Sequence, residues 1–166
     1  NEVFSQVKIE NKIGVDPVSG GTHRMTSDKF FVSNKEKIDL IKNIHDHLET
    51  YNFAGKVLSL ASVIRVAESL NSGNEFDSLE LAVLYKKLPN KLKDQILKPY
   101  VQIKKNQARI TMRLIDTHPD LKRSDFVNDL NNYFTENINT DNINAYSTGV
   151  LILYNNMLES LFDSQI

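Results

Sequence analysis

The chain has no cysteine, and only four prolines and six glycines are spread over its 166 residues. Without cysteine there is neither a disulfide framework nor a thiol nucleophile, and either redox compartment is compatible with that absence. Excess charge is missing as well: twenty Lys and Arg stand against twenty-one Asp and Glu, a formal charge of −1 at pH 7. So even a balance provides no global attraction for nucleic acid or for an anionic membrane surface. Hydrophobic runs are short. Val150–Tyr154 is an example, far below the ~20 residues that a spanning helix needs. No GxSxG elbow occurs, and Gly20-Gly21 is followed by Thr-His-Arg rather than by a phosphate-loop pattern. What remains is a chain 40% hydrophobic and 25% charged, a globular composition at a length suited to one domain with a substantial core.

The periodicities predict a mixed α+β order. Val7, Ile9 and Ile13 alternate with Lys8 and Glu10, which permits a short first strand within an otherwise irregular segment, 1–32. Gly14, Pro17, Gly20 and Gly21 point to a loop, and Lys29–Val32 to a second short strand. Ser33-Asn34-Lys35-Glu36 has capping-box spacing and opens a helix with Ile38, Ile41, Ile44, Leu48 and Tyr51 on one stripe, Gly55 lying past its end. Lys56–Leu60 reads as a brief strand. A second helix turns Leu60, Val63, Ile64, Ala67 and Leu70 inward and closes at Asn71-Ser72-Gly73. Asp77-Ser78-Leu79-Glu80 opens a third, ended near Leu88 by Pro89, which in turn begins a short helix through Leu97. Gln107–Asp116 is the clearest strand, with Ala108, Ile110, Met112 and Leu114 alternating against Arg109, Thr111 and Arg113. A helix over 122–137 buries Phe126, Val127, Leu130, Tyr133 and Phe134, and Ile143–Thr148 forms a last strand after the Asn139–Asn142 turn. Removing the helical insertion, about 60–98, leaves β-α-β-β-α-β, the ferredoxin-like split βαβ order, followed by a long C-terminal helix over 150–166.

That last helix carries Val150, Leu151, Tyr154, Met157, Leu158, Leu161, Phe162 and Ile166 on one stripe, with Asn155, Asn156, Glu159, Ser160, Asp163 and Ser164 opposite. The stripe predicts that Met157, Leu158 and Leu161 are covered, while Phe162 and Ile166 lack partners. No closing signal follows, and Asn1 is not an initiator methionine, so the expectation is a piece of a longer chain.

Residues able to do chemistry are scattered. His45 and His47, two apart on a helix, point about 200° apart and cannot share a metal; His23 and His118 fall in loops. Asp116 and Asp120 flank His118-Pro119 and suit turn and cap duty better than acid–base work. Lys104, Lys105, Arg109, Arg113, Lys122 and Arg123 could form a modest basic patch, but interleaved aromatics are missing, and a solvated sheet face and helix end is the plainer reading. The expectation is no catalytic residue, no cofactor and no metal.

Several stretches have a familiar look in this order: Gly55–Ser62 (GKVLSLAS), Leu84–Pro89 (LYKKLP), Ala108–Asp116 (ARITMRLID), and Ser147-Thr148-Gly149 with Leu153–Leu158 (LYNNML) and Asp163–Ile166. Over residues 33–166 the chain resembles an extramembrane porter-type domain of the resistance–nodulation–division (RND) superfamily, in the MMPL-like branch of predicted exporters of lipids and hydrophobic compounds. The Thr-Gly ending resembles the second large periplasmic loop more than the first. Val15–Lys29 stands where an apolar first strand of that family would follow Ile9–Gly14. The resemblance implies a catalytically silent domain on the periplasmic side of a bacterial inner membrane, forming part of a substrate path. The proton-carrying residues of the family lie in membrane spans. Implied partners are the spans and the other porter domain of the same transporter and a hydrophobic or lipid substrate, with no nucleic acid; pairing between copies is left open, and no substrate-binding residue is assigned. The alternatives are a free-standing ferredoxin-like module that binds a ligand or protein, and a hydrolase, for which no constellation is found.

Overall fold

A computed structural model describes residues 2–11, 35–102, 105, 107–141 and 143–164. The loop expected at 14–21, the strand at 29–32, the Ser33-Asn34 half of the first capping box, His23, Lys104 and Ile166 lie outside the described residues.

The centre of the molecule is a nine-residue strand, β4 (Gln107–Ile115), where the sequence alternation is cleanest. Ala108, Ile110, Met112 and Leu114 are all 2% exposed or less, while Arg109 and Arg113 face out. One edge of β4 is bonded antiparallel to β1 (Glu2–Asn11) along its length, and β1 in turn to β5 (Ile143–Gly149). The other edge is filled in two pieces, by β2 (Ala54–Leu58) beside Thr111–Leu114 and by the two-residue β3 (Val101–Gln102) beside Gln107 and Ala108. The strand order is β2-β4-β1-β5, with β3 alongside β4. The chain is therefore a mixed α+β domain built on an antiparallel sheet.

Strand β1 begins five residues before the expected Val7–Ile13 alternation and is ten residues long, so the N-terminal segment is less irregular than its composition suggests. The register explains the shortfall. Val3, Ser5, Val7 and Ile9 stand in register with the buried positions of β4, so a serine interrupts that alternate set and Phe4 falls between its members. That defect hides the period-2 signal.

Helix α1 (Lys35–Glu49) lays Ile38, Ile41, Ile44 and Leu48 on the core as expected, each no more than 2% exposed. Gly55, past the end of α1 as expected, lies inside β2 at a register shift between Ala54 and Lys56. The strand also stops earlier than expected, at Leu58, because Ser59 is extended and caps α2 (Leu60–Leu70). Only the first two turns of α2 meet the core: Leu60, Ala61 and Ile64 are buried, whereas Leu70, expected inward, is 84% exposed. Beyond Ile64 the helix runs clear of the sheet. Ser72 and Gly73 then close it with φ of 58° and 81°, a left-handed ending that glycine tolerates without strain.

Helix α3 (Ser78–Lys87) opens on a complete capping box: the Glu80 N–H donates to Asp77 Oδ1 at 2.7 Å and the Asp77 N–H to Glu80 Oε2 at 2.9 Å. After Pro89 come one short turn, α4 (Asn90–Leu92), and a π turn, Lys93–Leu97. The insertion thus leaves the sheet edge at β2 and returns to the same edge at β3. It shares the core through Leu81, Leu97 and Val101.

Helix α5 (Arg123–Asn137) buries Phe126, Val127, Leu130 and Phe134, with Tyr133 half-buried. These residues join those of α1 and the inward side of β4 in one cluster. Helices α1 and α5 therefore cover one sheet face.

The terminal helix, α6 (Val150–Asp163), overturns its expected orientation. Asn155, placed on the polar face, is 7% exposed, and Ile152 packs against the core; Met157 and Leu161, expected to be covered, are 51% and 53% exposed. Leu158 is half-buried, and Val150 and Leu151 lie outside the residues whose side chains are described. The reason is topological. Gly149, at φ 130°, turns β5 into α6 only after α1 and α5 have taken the sheet face. The helix meets β1, β5 and α5 along one narrow edge, and its wide apolar stripe is left outside.

Candidate functional site

Three places combine side chains in ways that could matter. The first links α1 to the start of α2. His45 is 2% exposed, with Nδ1 2.9 Å from Ser59 Oγ and Nε2 3.1 Å from Glu49 Oε1. Ser59 Oγ also accepts from the Ala61 N–H at 3.0 Å, and the Ser59 N–H donates to Ser62 Oγ at 3.2 Å. A proton on His45 Nε2 lets every group bond: the Ser59 hydroxyl donates to Nδ1, and Nε2–H donates to Glu49. This is the polarity of a Ser-His-Glu nucleophile relay. Ser59, however, has 0% exposure, so no carbonyl reaches its oxygen. The relay locks the cap of α2 onto α1. The i,i+4 pair His45–Glu49 was visible in the sequence, but the serine, fourteen positions on, carried no signal of its own.

His47 and His118 serve packing and a turn. His47 stacks on Tyr133 at 3.6 Å between centroids and 4° between planes, and its Nε2 lies 3.3 Å from the Tyr51 hydroxyl. Burial lowers the pKa of His47, against a smaller opposing pull from Asp129. Tyr51 donates to Asp129, and burial first, then that carboxylate, holds its phenol far above the usual range. His118 Nδ1 accepts from the Asp120 N–H at 3.2 Å within the turn, and Asp116 pairs with Arg123 at 2.5 Å. Among the described residues no group of three or more His, Cys, Asp or Glu could hold a metal ion.

The basic patch divides. Lys122 faces Asp125 at 3.9 Å and Arg123 faces Asp116, whereas Arg109 and Arg113 lie on the sheet face opposite α1 and α5. The register sets Lys56 across from Arg113 and Lys8 across from Arg109.

The second place is a cavity of about 780 Å³ between the π turn and the start of β4. Its lining includes the buried Leu97, Val101 and Ala108 and the charged Lys93, Lys98, Arg109 and Asp94. Lys93 Nζ sits 4.5 Å from the centroid of the Tyr85 ring, and Lys98 lies 3.6 Å from Asp94.

The third is the outer face of α6, where Leu153, Tyr154, Met157, Leu161 and Phe162 are between 44% and 71% exposed. The Arg123 guanidinium lies 5.5 Å from the Tyr154 ring centroid on this face. No described helix is long and apolar enough to cross a membrane.

Compared with protein-family models, with curated proteins and with solved structures, the chain matches none of them.

Proposed function

We propose that this chain is a periplasmic, porter-type domain of an RND-superfamily exporter of lipids or hydrophobic compounds in a bacterial inner membrane, with the ferredoxin-like split β-α-β arrangement. The order β2-β4-β1-β5, with α1 and α5 as the two crossovers, fits that arrangement. The insertion between β2 and β4 is then an elaboration at the sheet edge. In this reading the domain performs no chemistry. It forms part of the wall of the substrate path and contacts the membrane spans and the other porter domain.

The observation that carries the reading is the outer face of α6. Five large apolar side chains lie uncovered on one helix, a patch that normally marks a contact surface. In the exporter reading the missing cover is the remainder of the transporter. The test is the coding sequence beyond Ile166 in the source gene. An apolar run of about 20 residues supports the reading, and a stop codon directly after Ile166 overturns it.

A second reading, a free-standing module that binds a ligand or protein, is favoured by the open sheet face, where Lys56, Arg109 and Arg113 are exposed. The same stop codon would favour it.

A further inference from the structure

We propose that the cavity between the π turn and the start of β4 binds a compact organic anion, a carboxylate or a phosphate monoester on an apolar body. The proposal goes beyond the exporter reading and does not depend on it. The lining combines two chemistries. Leu97, Val101 and Ala108, each 7% exposed or less, make an apolar floor. Among the described lining residues, three cations, Lys93, Lys98 and Arg109, stand against one carboxylate, Asp94. The cavity measures about 780 Å³, within the range of roughly 300–1,000 Å³ typical of small-molecule sites. A bare inorganic ion would leave the floor wet, and a neutral body would leave the cations unused.

The backbone itself is bent to produce this arrangement. In an α-helix, residues five apart lie about 140° from one another around the axis, so Lys93 and Lys98 would face different directions. Here the Lys98 N–H bonds to the Lys93 carbonyl at 3.2 Å, and the extra residue in the turn brings both side chains to one wall. Such turns are rare, bond less well than α turns and concentrate at functional sites. The ion pair between Lys98 and Asp94 does not commit either group, because both are more than two-thirds exposed and so weakly held. The Lys93 ammonium is steadied over Tyr85. Arg109 belongs to the lining from β4, on a backbone tied to the same segment by its N–H bond to the Tyr100 carbonyl at 2.7 Å.

The test is an amide-resolved NMR titration of the full chain with benzoate, phenyl phosphate, inorganic phosphate and benzyl alcohol. Benzoate or phenyl phosphate should give saturable shifts confined to residues 93–102 and 107–109, and the tighter of the two names the anionic group. Inorganic phosphate and benzyl alcohol should each bind at least about tenfold more weakly, since each lacks one half of the recognition. Lys98→Gln should weaken binding by about tenfold without moving the thermal midpoint, while Lys122→Gln, away from the cavity, leaves it unchanged. Deleting Gln95 shortens the turn and should abolish binding; if that variant does not fold, Lys98→Gln decides alone. The absence of saturable shifts up to about 10 mM, shifts centred elsewhere, or equal binding of benzyl alcohol and benzoate would overturn the proposal.

Discussion

Helices α1 and α6 are both amphipathic, and both stripes can be read at the same spacing, yet only one is covered. On α1, Ile38, Ile41, Ile44 and Leu48 are sealed at 2% exposure or less; on α6, Tyr154, Met157, Leu161 and Phe162 range from 44% to 68%. The apolar content of the two helices does not explain the difference, but their places in the chain do. Helix α1 is the crossover between β1 and β2 and has a bare sheet face to settle on. Helix α6 arrives after α1 and α5 have filled that face. A stripe records a requirement for cover, and the topology decides whether the fold meets it.

The sharpest way to break that contrast is to cut into the sealed side. Ile110→Ala and Leu48→Ala each remove buried methyl groups at positions with 0% exposure, and each should lower unfolding free energy by about 2–5 kcal/mol. Arg109→Ala, next to Ile110 but on the open face, should change it by less than about 0.5 kcal/mol. Urea titrations of the three variants check the assignment. Equal losses at Ile110 and Arg109 would mean that the sheet faces are reversed.

A smaller effect is expected where α1 meets α2. Ser59→Ala removes the cap of α2 and leaves His45 Nδ1 buried without its donor, a loss of about 1–3 kcal/mol. A double-mutant cycle with His45→Ala should recover part of that loss, because the two groups serve each other at 2.9 Å. Strict additivity would show that the bond does not hold the helices together.

The same contrast governs what was legible in the sequence. Strand β4 and, from Ile38 to Leu48, helix α1 could be read residue by residue, since each repeats its period there without a defect and each lies against the centre of the core; Tyr51, expected on the same stripe, falls past the helix end. The capping box at Asp77 could be read because both of its bonds are local. By contrast, β1 was only half visible, because Ser5 and Phe4 break its alternation. The face of α6 and the end of α2 at Leu70 were misread, since they depend on which sheet surface is already occupied. The His45–Ser59 bond and the cavity beside the π turn arise from residues apart in the sequence, and no local pattern marks them or the π turn itself.

A weaker response comes from pH. Burial lowers the folded-state pKa of His47 below its usual value, so between the two values the unfolded chain binds more protons, and stability rises with pH. The contribution is complete above the unfolded pKa of about 6.5 and is lost as pH falls through and below it. Thermal midpoints should therefore drop from pH 7 toward about pH 5. His47→Phe, which keeps a ring against Tyr133, should flatten that part of the profile, and an unchanged slope would assign the acid sensitivity to other groups.

The smallest expected effect bears most directly on the difference between the two helices. Leu161→Ala is the same chemical change as Leu48→Ala, on a stripe of the same spacing. Leu161 is 53% exposed where Leu48 is 0%. Removing it opens no cavity and takes little apolar surface out of a dry environment, so the monomer should lose less than about 0.5 kcal/mol. Melts at two protein concentrations separate two meanings of any larger loss. A cost that grows with concentration would show that copies pair through α6 and that Leu161 is covered in the pair, since only association makes stability depend on concentration. A cost near that of Leu48→Ala at every concentration would place Leu161 in the domain's own core. In that case α6 would be sealed like α1, and the exporter reading would lose the uncovered face on which it rests.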